Sequence, residues 1–415
     1  MSNSTRDIDQ LSERKKLPEG WRWVKLGDVC NKHTGIRDPR LEPDTTFQYV
    51  DISSVCNSKK CVTVAKSILG KDAPSRARQI IRFNDVIVAT TRPNLNAVAQ
   101  VPIELDNQIC STGFCVLRAG ESIFPEYLFA FVRYQLFVDA LSDLVQGALY
   151  PAVNDGQVLA QHIPLPPLPE QQRIAAILKE QMGAVEKARM AAQERLRAIK
   201  ALPAAFLRQI FPDPGQPLPE GWRWAKLGEV CEVIGGSTPD TGNSAYWNGD
   251  IAWVTPTDLG KFTDITILAT SRQITLSGLQ NCGTQMLPVG TVIMSSRAPI
   301  GHLAIAGVSL CTNQGCKSFV PGMGVDSVFL YWAIKRAVPD IQALGSGATF
   351  AEVSKSILYQ FEIPLPTLPE QQRIAAILRE QLAAIEQARI AAEAELKAIN
   401  TLPAALLRRA FNGEL

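Results

Sequence analysis

Two separated segments of this chain occur twice, whereas the sequence between them does not repeat. Residues 17–30 and 218–231 agree at 12 of 14 positions, and residues 163–211 and 363–411 agree at 33 of 49. The intervening sequences cannot be aligned over any useful length. Uniform drift after a duplication would alter all parts alike. We therefore interpret the chain as one scaffold used twice, with a different region inserted in each copy.

Composition places the chain among ordinary globular proteins. Its 415 residues are 46% hydrophobic and 20% charged, which suits two to four domains with their own cores. No run of 18 apolar residues occurs, so no membrane span is expected. The polar residues 1–16 contain no apolar core of a signal peptide and are predicted to be a flexible tail. These features favour the cytoplasm.

The cysteines are interpreted as reduced, buried thiols rather than as a metal site. Three of the nine cysteines are each followed by another five residues later, which is not the usual zinc-ligand spacing. Residues five apart on one strand point to opposite faces, and the chain has only three histidines. No metal site is therefore predicted.

Catalytic motifs are absent from the sequence. We find no GxxxxGK[ST] phosphate loop, no HExxH, no GxSxG, and no Asn-Pro-Pro-aromatic tetrapeptide of amino-methylating DNA enzymes. Scattered acids such as Asp51, Asp85 and Asp258 show no paired spacing that would single out a magnesium site. These observations predict a binding protein without catalytic residues.

Each repeated C-terminal segment predicts a long helix. Pro169 and Pro369 suit the first turn, and acidic residues follow at once. Apolar positions then recur at alternating steps of four and three, which is the heptad spacing of a coiled coil. A surface helix packed on its own domain would be the simpler alternative. We predict that the two helices pair through Leu178, Met182, Val185, Leu196 and Ile199 of the first and Leu378, Leu382, Ile385, Leu396 and Ile399 of the second.

The non-repeated regions combine short strands with a closing helix. Runs of β-branched and aromatic residues bounded by Gly, Pro and Asn predict strands. Apolar stretches with helical spacing at residues 125–144 and 325–344 predict packed helices. The predicted strands cover residues 47–52, 85–91 and 114–118 in the first region and residues 250–255, 290–296 and 302–307 in the second.

Taken together, these features resemble the specificity (S) subunits of type I restriction-modification systems. The likeness rests on the doubled LPEGWRW–KLG segment and the doubled LPEQQRIAAIL helix start. It also rests on YVDISSV, APSRAR and ATTRPNL in the first region and on GGSTP, YWNGDIAWVTPTDL and CTNQG in the second. The match covers nearly the whole chain beyond residue 16, and the doubled order is more specific than any single phrase.

The resemblance and the repeat together predict an α+β fold. Two mixed α/β target recognition domains would lie at opposite ends of an antiparallel two-helix coiled-coil spacer, related by a pseudo-twofold axis. The short link between the first helix and the second copy requires the antiparallel direction. The predicted segments are the tail 1–16, recognition domain 17–162, spacer helix 163–211, linker 212–217, recognition domain 218–362 and spacer helix 363–415.

The resemblance also implies function and partners. It implies a non-catalytic subunit that reads an asymmetric bipartite site in double-stranded DNA and assembles with two modification subunits and with restriction subunits. S-adenosylmethionine, ATP and magnesium would be held by those partners and not by this chain. The assembled complex would be an adenine-specific DNA methyltransferase and an ATP-dependent site-specific deoxyribonuclease that defends against foreign DNA. The alternatives are a stand-alone sequence-specific DNA-binding regulator and a coiled-coil adaptor for other proteins.

We expect the DNA contacts to come from loops of the two inserted regions. Arginine can bridge guanine O6 and N7, and asparagine or glutamine can bridge adenine N6 and N7. For Arg76 and Arg78 the alternative is a contact with DNA phosphate. For Asn313 and Gln314 the alternative is a loop whose polar groups are hydrogen-bonded within the protein. The candidates, each beside a turn-forming residue, are Arg76, Arg78, Arg92, Asn94, Arg297, Asn313 and Gln314.

Charge adds little support to DNA binding. The net charge is +2, which is low for a protein that binds DNA alone. Residues 52–118 hold nine basic and four acidic residues, a net of +5, whereas residues 222–362 hold nine and ten, a net of −1. This weak charge would fit a subunit that gains phosphate affinity from its partners.

Overall fold

A computed structural model of the chain describes residues 17–31, 34–145, 151–262, 264–297, 299–345 and 352–415. The predicted tail at residues 1–16 lies outside the described residues. The chain forms two compact units. Unit 1 comprises Met1–Gln193 and Ala394–Leu415, and unit 2 comprises Glu194–Glu393. Each unit therefore contains one inserted region and parts of both repeated helices.

The first half of the chain contains eleven strands and five helices among its described residues. The strands are β1 Arg22–Lys25, β2 Thr46–Val50, β3 Val55–Cys56, β4 Cys61–Val62, β5 Lys66–Leu69, β6 Ala77–Ile81, β7 Val86–Ala89, β8 Val98–Gln100, β9 Gln108–Ser111, β10 Phe114–Leu117 and β11 His162–Leu165. The helices are α1 Leu26–Val29, α2 Pro125–Val132, α3 Gln135–Asp143, α4 Asp155–Leu159 and α5 Leu168–Ile210.

The second half contains ten strands and six helices among its described residues. The strands are β12 Arg223–Lys226, β13 Cys231–Gly235, β14 Trp247–Val254, β15 Thr266–Ile267, β16 Arg272–Ile274, β17 Val292–Ser295, β18 Leu303–Ala306, β19 Leu310–Thr312, β20 Cys316–Pro321 and β21 Glu362–Leu365. The helices are α6 Leu227–Val230, α7 Pro256–Leu259, α8 Leu276–Gln280, α9 Ser327–Ala343, α10 Lys355–Gln360 and α11 Leu368–Phe411.

Within each unit, the first repeated segment pairs with the start of the second repeated segment. In unit 1, β1 pairs antiparallel with β11, and Arg22 lies opposite Leu165. In unit 2, β12 pairs with β21 in the same register, and Arg223 lies opposite Leu365. The first repeated segment is thus joined by a two-stranded ladder to the strand that leads into the long helix. This pairing explains why both segments are retained together.

A buried glutamine fixes the start of the first long helix. The amide nitrogen of Gln171 donates to the carbonyl oxygens of Ser122 at 3.0 Å and Pro166 at 2.9 Å. Its amide oxygen accepts a hydrogen bond from the N–H of Phe124 at 2.8 Å. The side chain is fully buried, and its bond to Pro166 is shielded from water while the other two are partly buried. The segment that begins α2 is thereby tied to the first turns of α5.

The second copy repeats this contact with different surrounding residues. Gln371 donates to the carbonyl oxygens of Gly324 at 3.1 Å and Pro366 at 2.9 Å. Its amide oxygen accepts from the N–H of Asp326 at 2.9 Å, the residue that caps α9. The inserted regions differ in sequence, yet each closes on the frame through backbone groups that one buried glutamine can satisfy. We call Gln171 and Gln371 the glutamine latches.

The inserted regions share a strand layout that their sequences do not reveal. In unit 1, β2 pairs in parallel with β9, and β7 lies between β10 and β8. In unit 2, β14 pairs in parallel with β19, and β17 lies between β20 and β18. The six strands predicted from sequence all occur, at slightly different limits. These shared strand pairs therefore carry different side chains, and among the described residues they lie in sheets of three and four strands in unit 1 and of five and three strands in unit 2.

One predicted helix is two helices. Residues 125–144 were expected to be continuous, but α2 ends at Val132 and α3 begins at Gln135. Between them Tyr134 has extended backbone angles, and its ring stacks on Phe411 at 5.3 Å. Phe131 and Phe137 pack edge to face at 5.5 Å across the break. All three rings lie in the core of unit 1 on either side of the break.

The predicted spacer helices 163–211 and 363–415 are shorter in the structure, because each segment begins with a strand, β11 or β21, and the helices start beside the predicted prolines. Both α5, with 43 residues, and α11, with 44, run through an internal proline. An internal proline removes one helical hydrogen bond and costs roughly 3 kcal/mol. The last turns offset this cost by burial: Leu207 and Phe211 lie in the core of unit 2, and Leu407 and Phe411 lie in the core of unit 1.

The proposed pairing positions are the less exposed positions of both helices. Leu178 and Leu378 are buried, and the remaining eight are partly buried. In unit 1, Leu178 shares a core with Leu407 near the end of α11. In unit 2, Leu378 shares a core with Leu207 near the end of α5, and the ammonium of Lys200 contacts a carboxylate oxygen of Glu393 at 3.1 Å. Within each unit the helical segments therefore run antiparallel.

Removing a latch should weaken the unit that contains it. Gln171→Ala leaves one buried N–H and two carbonyl groups without that partner, so we expect the free energy of unfolding of unit 1 to fall by about 2–3 kcal/mol. Gln172→Ala is the matched control, because Gln172 is exposed in the same turn. Denaturant unfolding followed by hydrogen exchange measures the change in each unit. Equal unfolding midpoints for the two variants would contradict a structural role for the latch.

Candidate nucleic-acid interface

The turns that follow matching strands meet at one edge of each inserted region. In unit 1, the N–H of Thr90, just after β7, donates to the carbonyl oxygen of Gly113, and the N–H of Val153 donates to that of Thr90, both at 2.9 Å. We call residues 90–96 and 111–113 the first edge. They lie at the same end of the region because β7 pairs with β10, which follows residue 113.

The same contacts define an edge in unit 2. The N–H of Ser296 donates to the carbonyl oxygen of Gly315 at 2.8 Å, and the N–H of Val353 donates to that of Ser296 at 3.0 Å. We call residues 296–297 and 312–315 the second edge. Thr90 and Ser296 are therefore equivalent, which places Arg297 at the position of Thr91. The two predicted arginines, Arg92 and Arg297, are offset by one residue.

A strained turn presents Arg92 and Asn94 on the first edge. Arg92 has a φ of 50° and Asn96 a φ of 46°, which are left-handed conformations that side chains other than glycine rarely adopt. They flank the single turn Pro93–Leu95, and the N–H of Arg92 is held by the carbonyl oxygen of Pro151 at 2.8 Å. Both Arg92 and Asn94 are exposed. Such strain costs about 1–3 kcal/mol per residue and is found at functional sites.

Arg76 and Arg78 differ in their surroundings although they are two residues apart. Arg76 is exposed, and its carbonyl oxygen accepts from the N–H of Thr112 at 2.9 Å, which places it beside the first edge. Arg78 is partly buried and forms an ion pair with Asp38 at 3.2 Å. It also donates to the carbonyl oxygen of Ala77 at 2.8 Å. Only the first of these two guanidinium groups is free of a carboxylate partner among the described residues.

The second edge brings Arg297 and Asn313 together through a glycine. A Cβ atom on Gly315 would lie 3.1 Å from Nε of Arg297 and 2.9 Å from Cγ of Pro256, so a side chain there would displace both. Oδ1 of Asn313 accepts from the N–H of Gly315 at 2.9 Å. Gln314 is exposed, and its amide oxygen accepts a hydrogen bond from the hydroxyl of Thr238.

An open groove of about 480 Å³ runs along the second edge. Two predicted residues, Arg297 and Asn313, line it together with residues that the sequence did not single out. No acidic side chain is among its lining residues. The remaining lining residues are Trp253, Thr255, Pro256, Thr257, Ser271 and Arg272.

Aromatic and basic side chains meet in this groove because strands pair. Arg272 lies directly opposite Trp253 in the β14–β16 ladder. Its guanidinium carbon lies 3.8 Å from the ring centre of Trp247 and 5.1 Å from that of Trp253. Arg272 begins a strand, so the criterion of a turn-forming neighbour did not select it as a candidate. The two tryptophans of YWNGDIAWV were the sequence feature that could have indicated this site.

Three of the nine basic residues counted in the first region form ion pairs with carboxylates of the same region. Arg78 pairs with Asp38, Lys66 with Asp51, and Arg118 with Asp85. Arg118 binds both carboxylate oxygens of the buried Asp85 at 2.9 and 2.7 Å, and this hydrogen bonding raises the pKa of Arg118. The pair of Arg118 with the buried Asp85 supports the fold. Of these nine, the basic side chains without an ion pair to a described residue are Lys59, Lys60, Lys71, Arg76, Arg82 and Arg92.

The cysteines agree only in part with the sequence interpretation. All nine are free, and six are buried. Burial raises the pKa of Cys30, Cys231 and Cys311 to about 12, which keeps these thiols protonated. The expectation that paired cysteines face apart is wrong for Cys56 and Cys61, which are direct partners across the β3–β4 hairpin. The spacing placed them on one strand, whereas a tight turn folds them together.

In the described part of the chain, no group of three or more histidine, cysteine, aspartate or glutamate side chains is arranged to hold a metal ion. Within the same residues, no helix has the length and apolar character needed to cross a membrane.

The fold and its two edges define a class of protein with two separate recognition regions on a repeated α-helical frame. A family model for the type I restriction modification DNA specificity domain matches residues 18–192 and again residues 219–396. Because these matches cover most of the chain, the chain belongs to this family. The double match confirms two recognition regions and a role in DNA sequence specificity.

Curated relatives share this family. The type I restriction enzyme MjaIX specificity subunit of Methanocaldococcus jannaschii is 41% identical over 163 residues. That alignment covers 39% of this chain and 38% of the relative's length. The type I restriction enzyme HindI specificity subunit of Haemophilus influenzae is 20% identical over 95% of this chain and 99% of the relative.

Solved structures share the fold over nearly the whole length. A chain from a structural study of complex assembly and conformational transition of the type I R-M system has a TM-score of 0.83 and 38% identity, over 96% of this chain and 100% of that chain. The HsdS subunit from Thermoanaerobacter tengcongensis has a TM-score of 0.70 and 39% identity, over 97% and 99%. The predicted α+β fold with two recognition regions and long repeated helices is confirmed.

Replacing an arginine that supports the fold should lower the free energy of unfolding more than replacing an arginine on an edge. Arg118→Met leaves the carboxylate of Asp85, which is 2% exposed, without its partner, so we expect a loss of about 3 kcal/mol in unfolding free energy. Arg92→Ala should change it by less than about 0.5 kcal/mol, since Arg92 is exposed. Thermal and denaturant unfolding of both variants provide the comparison. Similar losses would show that Arg92 is also structural.

Proposed function

We propose that this chain is the DNA-recognition subunit of a type I restriction-modification complex and reads an asymmetric bipartite site. The observation that carries the proposal is the pair of equivalent edges, which have the same backbone contacts and different side chains. Two regions with one layout and different surfaces are suited to reading two different half-sites. Membership in the specificity family supports this role over that of a stand-alone regulator or a coiled-coil adaptor.

Base contacts are assigned to the exposed side chains of the edges. Arg92, Asn94 and Arg76 would read the first half-site, and Arg297, Asn313 and Gln314 would read the second. Arginine and amide side chains each supply about 1–3 kcal/mol of discrimination when they bridge a purine edge. Arg78, whose guanidinium already pairs with Asp38, is assigned to a phosphate contact instead. Phosphate contacts position a protein without reading sequence.

Catalysis and cofactors are assigned to partners. Two modification subunits with S-adenosylmethionine would methylate adenine, and restriction subunits with ATP and magnesium would cleave foreign DNA. The low net charge of +2 supports shared phosphate binding. The heptad positions of α5 and α11 are proposed to pair and set the distance between the two recognition regions. Since the substrate is the cell's DNA, we place the complex in the cytoplasm.

The base assignments predict a change in specificity and not only in rate. Arg92→Ala should relax discrimination at one position of the first half-site, and Arg297→Ala at one position of the second, by roughly 5- to 150-fold. Methylation of a randomised site library by the chain assembled with its modification subunits measures both. Arg82→Ala is the control, because Arg82 is exposed before β7, at the end away from the first edge.

Two outcomes would contradict these assignments. A uniform loss of methylation rate, with no relaxed position, would show that the arginines contact phosphate and not bases. A specific duplex bound tightly by the chain alone, with no effect of added modification subunit in a gel shift, would favour the stand-alone regulator.

A further inference from the structure

We propose that Arg272 is a specificity-determining residue of the second recognition region and reads a guanine in the second half-site. This inference rests on the proposed function and extends it to a residue outside the predicted set. It depends on three features of the groove along the second edge: a fixed aromatic support, an unpaired guanidinium and a lining without acids. It also depends on the different residue found at the equivalent position in unit 1.

The aromatic support is held in place by backbone contacts. Trp253 is 2% exposed, and its indole N–H donates to the carbonyl oxygen of Ser237 at 3.1 Å. The indole N–H of Trp247 donates to the carbonyl oxygen of Asp240, also at 3.1 Å. The two rings meet edge to face, with centres 5.1 Å apart. Both rings are thus fixed before any ligand arrives.

The guanidinium of Arg272 lies against both rings and keeps its donors available. Stacking on tryptophan stabilises a cation by about 0.5–2 kcal/mol and limits rotation of the guanidinium plane. Arg272 is exposed and forms no ion pair among the described residues. An arginine held flat with free N–H groups along its edge has a small ordering cost on binding a planar pair of acceptors.

The surroundings suit a nucleic acid with its negative charge. Arg272 lines the groove with Arg297 and Asn313. It also lines an adjoining open groove of about 590 Å³, together with Trp247, Asn248 and Gln273. No acidic side chain lines either groove. The nearby Asp258 is buried and accepts hydrogen bonds from Thr255 and Ser271.

Unit 1 holds a different cation at the equivalent position. Tyr49 precedes the end of β2 as Trp253 precedes the end of β14, and Lys66 lies opposite Tyr49 in the ladder. Lys66 forms an ion pair with Asp51, which Arg272 does not have. The same backbone position therefore carries a neutralised ammonium in one region and a stacked, free guanidinium in the other. This difference is expected of a position that distinguishes two half-sites.

Guanine is the base that this geometry favours. Its O6 and N7 atoms accept two parallel hydrogen bonds from one guanidinium in the major groove. An ammonium can contact a phosphate as well as a guanidinium can, and it can also donate to guanine O6 and N7, but it has no planar edge that stacking on the tryptophans can hold. Replacing arginine by lysine therefore keeps the charge and removes only the held planar edge, whereas replacing it by glutamine removes both the charge and the guanidinium.

The test is methylation of a randomised site library by the full chain assembled with its modification subunits. Arg272→Lys should reduce discrimination at one guanine of the second half-site by about 10-fold or more and leave the first half-site unchanged. Arg272→Gln, which removes the charge but keeps a polar side chain, should relax the same position. Lys66→Met is the matched control and should leave the second half-site unchanged.

Each result decides the proposal. A relaxed guanine position with either Arg272 variant supports it. If neither variant relaxes a position, base reading is overturned: a uniform rate loss then identifies a phosphate contact, and profiles equal to that of the wild type show no contact that matters for methylation. If Arg272→Lys fails to assemble, the Arg272→Gln profile decides, and failure of both to assemble overturns the proposal in favour of a structural role. A wild-type complex with no defined site would instead refute the proposed function itself.

Discussion

Within each unit, the fold depends on the hydrogen bonds of one buried glutamine. Each latch joins the start of a long helix to the segment where an inserted region closes, using only backbone groups of that region. Backbone groups are present whatever the side chains are. A latch of this kind therefore lets the inserted sequence change while the frame keeps its geometry, and the antiparallel ladders β1–β11 and β12–β21 work in the same way.

The inserted regions keep a common backbone while their edges differ in chemistry. The first edge presents Arg92 and Asn94 on a strained turn, which the protein tolerates because neighbouring backbone hydrogen bonds hold it. The second edge has a groove in which glycine allows Arg297 to approach and tryptophans support Arg272. Sequence recognition can thus diverge at side chains and turns without new strand pairing.

The frame could be predicted from the sequence because its signals are local and occur twice. Proline positions located both helix starts, and β-branched runs located six strands. Contacts between distant residues could not be predicted. Arg78 was a candidate for base contact and Arg118 was counted in the positive charge of the first region, but their partners Asp38 and Asp85 lie 40 and 33 residues away in the chain. Arg272 was missed because its tryptophan support exists only once β14 and β16 pair.

The central claim is that one repeated frame carries two independent recognition regions, and a fragment ending at Pro212 tests it most directly. The fragment retains one recognition region and one long helix, whose pairing positions are Leu178, Met182, Val185, Leu196 and Ile199. A second copy of the fragment can supply nearly the same pairing side chains as the missing helix. Their volumes are similar, and cores usually tolerate such a replacement. We predict a symmetric homodimer by sedimentation. With modification subunits it should methylate a palindrome of the first half-site, with halves about one DNA turn apart. A well-folded monomer, or a dimer that still methylates the asymmetric site, would contradict the account.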